Sequence, residues 1–164
     1  MQTDLIMSEG AQLFSLLGTT YNAMLRARKK ELEPTGVSLR HGMALWALKV
    51  MGRPTTIAEL SQIIDRDHQT TAQLVKRMER EGLLERVQGQ HKRSPITVSP
   101  TSKGEDAFRR TLERYEVFDE ISACLSPEER ETMIGYLRRL REEAIAKSAL
   151  YPPLPGPLAS LLGM

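Results

Sequence analysis

Apolar and polar positions recur with helical period along most of this chain, and the recurrence is interrupted at capped boundaries. Over about 8–28, Leu13, Leu17, Tyr21 and Met24 fall on one stripe. A second helix over 38–51 is apolar on more than one side through Leu39, Met43, Leu45, Trp46, Leu48 and Val50, the pattern of a central buried helix. Thr56-Ile57-Ala58-Glu59 is a capping box, with Ile57, Leu60, Ile63 and Ile64 as the buried face of the short helix it opens. After a turn through Asp65 and Arg66, Asp67 is the N-cap of a helix that runs to Gly82, whose residue type suits a left-handed C-terminal position. Segments 83–87 and 94–98 read as two short strands, with Gly89 in the turn between them. Ser102-Lys103-Gly104-Glu105 has capping-box spacing and opens a helix carrying Phe108, Leu112, Tyr115 and Phe118. Ser126-Pro127-Glu128-Glu129 opens the last long helix, whose stripe is Met133, Leu137, Leu140 and Ala144.

The helix between Asp67 and Gly82 separates its side chains most cleanly. Thr71, Leu74, Val75 and Met78 form the core stripe, and opposite them Gln69, Gln73, Lys76 and Arg80 make one ridge at helical offsets. Such a ridge is usually a solvated face, but here its context changes the reading. From Arg86 through Lys103 there are four Lys or Arg and no Asp or Glu, a local excess that fits a phosphate backbone. Glutamine can pair bidentately with adenine, while lysine and arginine also hold phosphates. Two capped helices followed by a basic hairpin are the plan of a winged helix-turn-helix, so the fold class is mainly α, of α+β type.

These residues resemble the MarR (multiple antibiotic resistance regulator) family of bacterial transcription factors. The resemblance is carried by 56–60, 70–86, Lys92-Arg93-Ser94 and 98–104, and it extends over nearly the whole chain. It implies one domain over 8–151, with a winged core at about 38–100, dimerisation helices at about 8–32 and 102–151, and a Pro-rich tail at 152–164. It implies double-stranded DNA as partner, touched by His68, Gln69, Thr70, Gln73, Lys76, Arg77 and Arg80 of the recognition helix and by Gln90, His91, Lys92 and Arg93 of the wing. Arg93 keeps the groove-entering role, whereas His91 stands where the family usually carries an acid. The implied protein is a homodimeric repressor of a palindromic operator, released by a small effector that is commonly an aromatic or phenolic acid. His41, Trp46 and Tyr115 are the candidate pocket residues.

The stripes outside the winged core exceed what that core can cover, which independently argues for self-pairing. Gly135 inside the last helix fits a close approach by another helix, or a tolerated defect. With 164 residues and 40% hydrophobic content the chain can build a real core. A formal charge of +2 says little by itself, but its distribution does: 105–143 holds eleven acids against seven bases while the wing is purely basic. No apolar run nears the roughly eighteen residues of a membrane span, and no signal-type start is present, so a cytoplasmic protein is expected. Leu158, Leu161 and Leu162 follow the prolines of the tail and either pack on a partner or belong to a frayed end.

Chemistry is thinly represented. Cys124 is the single cysteine, read as a small buried hydrophobe. His41, His68 and His91 share no metal-binding spacing, so neither metal nor cofactor is expected. The sequence offers no glycine-rich phosphate loop or nucleophile elbow, and an enzyme is not expected. The competing readings are a winged-helix docking module that does not bind DNA and a cysteine-based redox regulator.

Overall fold

The computed structural model describes residues 8–87, 95–148 and 155–163. In chain order its elements are α1 (Glu9–Leu32), a 3-10 turn (Glu33–Thr35), α2 (Leu39–Met51), β1 (Thr55–Thr56), α3 (Ile57–Ile63), α4 (His68–Arg80), β2 (Leu84–Val87), β3 (Thr97–Pro100), α5 (Ser102–Leu112), α6 (Val117–Ser122), α7 (Pro127–Ser148) and α8 (Gly156–Leu161).

Most helix starts are set locally. Ser8, Ser38 and Asp67 each accept the amide of the third residue after them, at 3.2, 3.2 and 2.8 Å. Thr56 and Glu59 form the complete reciprocal box, as do Ser126 and Glu129. Helix α2 is the beam of the winged core: Ala44, Leu45, Ala47 and Leu48 are buried in it and pack with Leu60, Val75, Met78 and Val98 from the elements around it. Asp65 at φ 50° turns the chain between α3 and α4, and Gly82 at φ 71° ends the unit.

Several expectations need correction. The cap of α5 is Thr101, one residue before the expected Ser102. Its hydroxyl accepts from Gly104 N at 3.1 Å and donates to Gly82 O at 2.6 Å, tying the helix start to the turn after α4. A Cβ on Gly104 would stand 2.1 Å from Leu83 O, so glycine takes the position a box would give to glutamate. Glu105 instead meets Lys49 Nζ at 2.9 Å.

The single helix expected to carry Phe108 through Phe118 is two. Helix α5 stops at Leu112 and α6 begins at Val117, because α1 supplies partners to both loose ends. Glu31 accepts the amides of Glu116 and Val117, each at 2.9 Å, and Arg28 takes the carbonyls of Thr111 and Arg114.

The second wing strand is Thr97–Pro100, later than the expected 94–98. It runs antiparallel to β2, with Leu84 opposite Pro100 and Val87 opposite Thr97. It is also the middle strand of the order β1-β3-β2, with Val98 fully buried. The two-residue β1 is too short to leave a period-2 signal. Beyond the described gap the tail is helical: α8 packs on α2 with Leu158 buried, and Arg138 Nε donates to Leu162 O at 2.9 Å. Cys124, expected to be buried, is exposed.

Candidate nucleic-acid interface and adjoining pocket

Helix α4 divides as its sequence requires. Thr71, Val75 and Met78 are fully buried, and Thr71 Oγ1 donates back to Asp67 O at 2.9 Å, so no polar atom is orphaned on the inner face. His68, Gln69, Gln73, Lys76 and Arg80 lie exposed along the outer face, and among the described residues their side chains have no partner. Thr70 and Arg77 flank this ridge. Thr70 is engaged by Asp67, whose carboxyl is held below its ordinary value by that side chain and its amide. Arg77 Nε meets Glu81 Oε1 at 2.8 Å.

The basic excess after Gly82 is smaller in space than in sequence. Arg86 Nε meets Glu79 Oε1 at 2.6 Å, and Lys103 Nζ donates to Glu81 O at 2.7 Å. Arg86 therefore braces the hairpin, and Lys103 the first turn of α5, against the end of α4. Gln90, His91, Lys92 and Arg93 lie outside the described residues, as does Gly89. Two cations that sequence reasoning missed stand at the head of α4: exposed Arg40 and Arg66 border a cleft whose other lining includes Asp67 and Thr70. The signal for Arg66 was its place directly before the cap, where helix N-termini meet phosphates.

A second concavity, about 230 Å3, opens between α1, α2, α5 and α6. Trp46 and Tyr115 line it. His41 does not. It is buried on another side of α2, with Nδ1 3.5 Å from Glu81 Oε2 at the end of α4. Burial pushes its pKa below the ordinary histidine value, against the opposing pull of the Glu81 charge.

The residue missed here is Arg28, which is 5% exposed. Its guanidinium pairs with Glu31, donates to Arg114 O and, at 2.9 Å, to Thr111 O, and lies 4.5 Å from the centre of the Tyr115 ring. Burial raises the Glu31 pKa, but Arg28 and the amides of Val117 and Glu116 outweigh it and leave the carboxyl below its ordinary value. A charged residue on the inner side of an amphipathic helix carries no sequence signal until its partners, 80 or more positions away, are known.

The outer helices present the opposite situation. Leu13, Leu16, Leu17 and Tyr21 of α1 are exposed, Phe14 at 80%. Met133, Ile134, Tyr136, Leu137 and Leu140 of α7 are exposed as well, and α7 has no buried residue. A Cβ on Gly135 would meet nothing within 4 Å of its own chain.

The model of the MarR family matches residues 35–94, from the turn before α2 into the wing. A curated relative, the HTH-type transcriptional regulator YybA of Bacillus subtilis, is 25% identical over 113 residues, 68% of this chain and 75% of that protein. The organohalide-sensing RdhR transcriptional regulator, solved with 2,4-dichlorophenol, superposes with a TM-score of 0.79 at 21% identity, covering 92% of this chain and 90% of its own. A mutant of MarR from E. coli complexed with operator DNA superposes at 0.74 and 17% identity, covering 80% of this chain and 95% of its own. S. aureus MepR in its DNA complex gives 0.70 at 20% identity, over 79% and 96%. Capped helices, wing order and matched segment agree: residues 35–94 match the MarR family model, and the chain has the winged helix-turn-helix fold of the solved proteins it superposes on.

Proposed function

We propose that the protein is a homodimer that binds an imperfectly palindromic operator in double-stranded DNA, represses transcription there, and lets go when a small ligand enters the α1–α2–α5 pocket. The observation that carries the proposal is helix α4, whose inner face is locked into the core while five polar side chains outside have no partner among the described residues. Solved relatives bound to DNA support the same reading, as does the ligand-bound form of RdhR.

Geometry supplies the mechanism. A dimer reading half-sites about 34–36 Å apart must hold its two recognition helices at that spacing. Helix α1 carries an exposed apolar face at one end and a wall of the pocket at the other, so a ligand there acts on the joint between arm and reader. Ligand preference for a different helix spacing lowers DNA affinity; a coupling of about 1–3 kcal/mol gives about 5–150-fold.

The test is selection of bound duplexes from a random pool, followed by titrations over a salt series. Gln73→Ala is expected to lose discrimination at one base position with an unchanged salt slope. Arg93→Ala, at the wing position the resemblance assigns, is expected to weaken all duplexes and to lower the slope by about one for each phosphate that is no longer neutralised. Identical behaviour of the two variants overturns the division of roles, and absence of any selected duplex overturns the function.

A further inference from the structure

The pocket is almost without usable charge. Among the described residues Arg28 is the one charged side chain lining it, and its charge is already paired. Glu31 neutralises it, the carbonyls of Arg114 and Thr111 each take one N–H, from Nη1 and Nη2, and Tyr115 lies across its face. The Glu31 carboxylate is itself satisfied by the amides of Glu116 and Val117, so the pair is a closed structural clasp holding α1 to α5 and α6. Thr111 Oγ1 is committed to Phe108 O at 2.6 Å. Leu25, Met43, Trp46, Phe108 and Phe118 make the remaining wall mostly hydrocarbon and ring.

We infer that this pocket selects uncharged aromatic rings and rejects the matching carboxylates, contrary to the aromatic acids that the family resemblance leads one to expect. A carboxylate entering here loses its hydration and finds no free cation, only the partial repulsion of Glu31. A neutral ring loses little water and gains edge and face contacts with Trp46, Phe108 and Phe118. The volume fits: cavities of about 150 Å3 take up benzene, and about 230 Å3 takes one ring with substituents or two fused rings. This specificity deepens the proposed effector site and rests on that reading, but binding is measured without DNA.

Trp46 is the only tryptophan in the chain and lines the pocket, so its emission reports occupancy directly. Wild-type protein at pH 7 is titrated with 3,4-dichlorobenzyl alcohol and, separately, with 3,4-dichlorobenzoate, a pair with the same ring that differ by one oxygen and in charge. The alcohol is expected to change Trp46 emission saturably and to bind tighter than the benzoate by roughly tenfold or more. Benzoate binding as tightly as the alcohol, or no saturable change with either, overturns the inference. Glu31→Gln, which leaves Arg28 without a counter-charge, is expected to narrow the gap by improving benzoate; an unchanged gap in a folded variant removes Arg28 from the explanation and so overturns it. If that variant does not fold, the wild-type pair still decides. The same alcohol added to the protein–duplex complex separates the two readings: saturable binding without DNA release leaves the pocket specificity standing and sinks the effector role. DNA binding without any alcohol binding sinks the specificity alone.

Discussion

Arg28 and Glu31 convert three helix ends into one joint, and removing either should be felt far from the mutated atom. Arg28→Ala leaves Thr111 O, Arg114 O and the Glu31 carboxylate without their cation, so urea titration should show a loss of about 3–5 kcal/mol, the range for breaking a buried pair. A loss below about 1 kcal/mol would show that water replaces the guanidinium freely. Gly104→Ala puts a methyl 2.1 Å from the Leu83 carbonyl, a clash only backbone movement relieves; about 1–3 kcal/mol should go with it. Glu59 makes the pH prediction. Its hydrogen bond from Arg53, outweighing burial and aided by Thr56, holds its pKa at about 2 against 4.5. The folded value lies below the unfolded one, so the cap's contribution is complete above about pH 4.5 and is lost as pH falls toward 2. Wild type should lose stability across that window more steeply than Glu59→Gln in acid titrations followed by circular dichroism.

At the scale of elements, α8 gives the clearest prediction. Leu158 is 5% exposed on α2, so a chain ending before Gly156 should lose roughly 1.5–3 kcal/mol, read as a lower thermal midpoint. An unchanged midpoint would mean that the segment contributes nothing to the core. The same element shows where sequence reasoning stops. Starts capped by their own neighbours, at Ser8, Ser38, Thr56, Asp67 and Ser126, are legible because donor and acceptor lie three residues apart. Ends capped from a distance are not, which is why the break between α5 and α6 is hidden behind a continuous apolar stripe. The late start of β3 has a similar origin: Val98 is fixed by pairing on both sides, once to the two-residue β1. In the candidate site the outer ridge of α4 is readable from periodicity alone. Arg86 and Lys103, which in sequence add to the DNA-facing charge, are engaged by Glu79 and Glu81 O instead, because a sum of charges contains no partners. His41 fails as a pocket residue for lack of a rotational reference on a helix buried on several sides.

On the scale of the whole molecule, the exposed stripes of α1 and α7 are the feature one chain leaves unexplained. Proposed dimerisation through them predicts that Leu137→Glu with Leu140→Glu yields a monomer in sedimentation experiments and abolishes duplex binding, while the variant keeps its helicity. A double variant still dimeric would move the interface elsewhere. The proposed dimer also bears on α4, since one helix in one groove reads too few bases to define an operator. The most direct measurement of that claim is the affinity of the dimer for a selected duplex before and after insertion of half a helical turn, about 5 base pairs, between its half-sites. Rigidly paired recognition helices predict one dimer per duplex and a loss of most sequence-specific affinity on insertion. Affinity indifferent to the insertion, or equal binding by a monomer, would contradict the account.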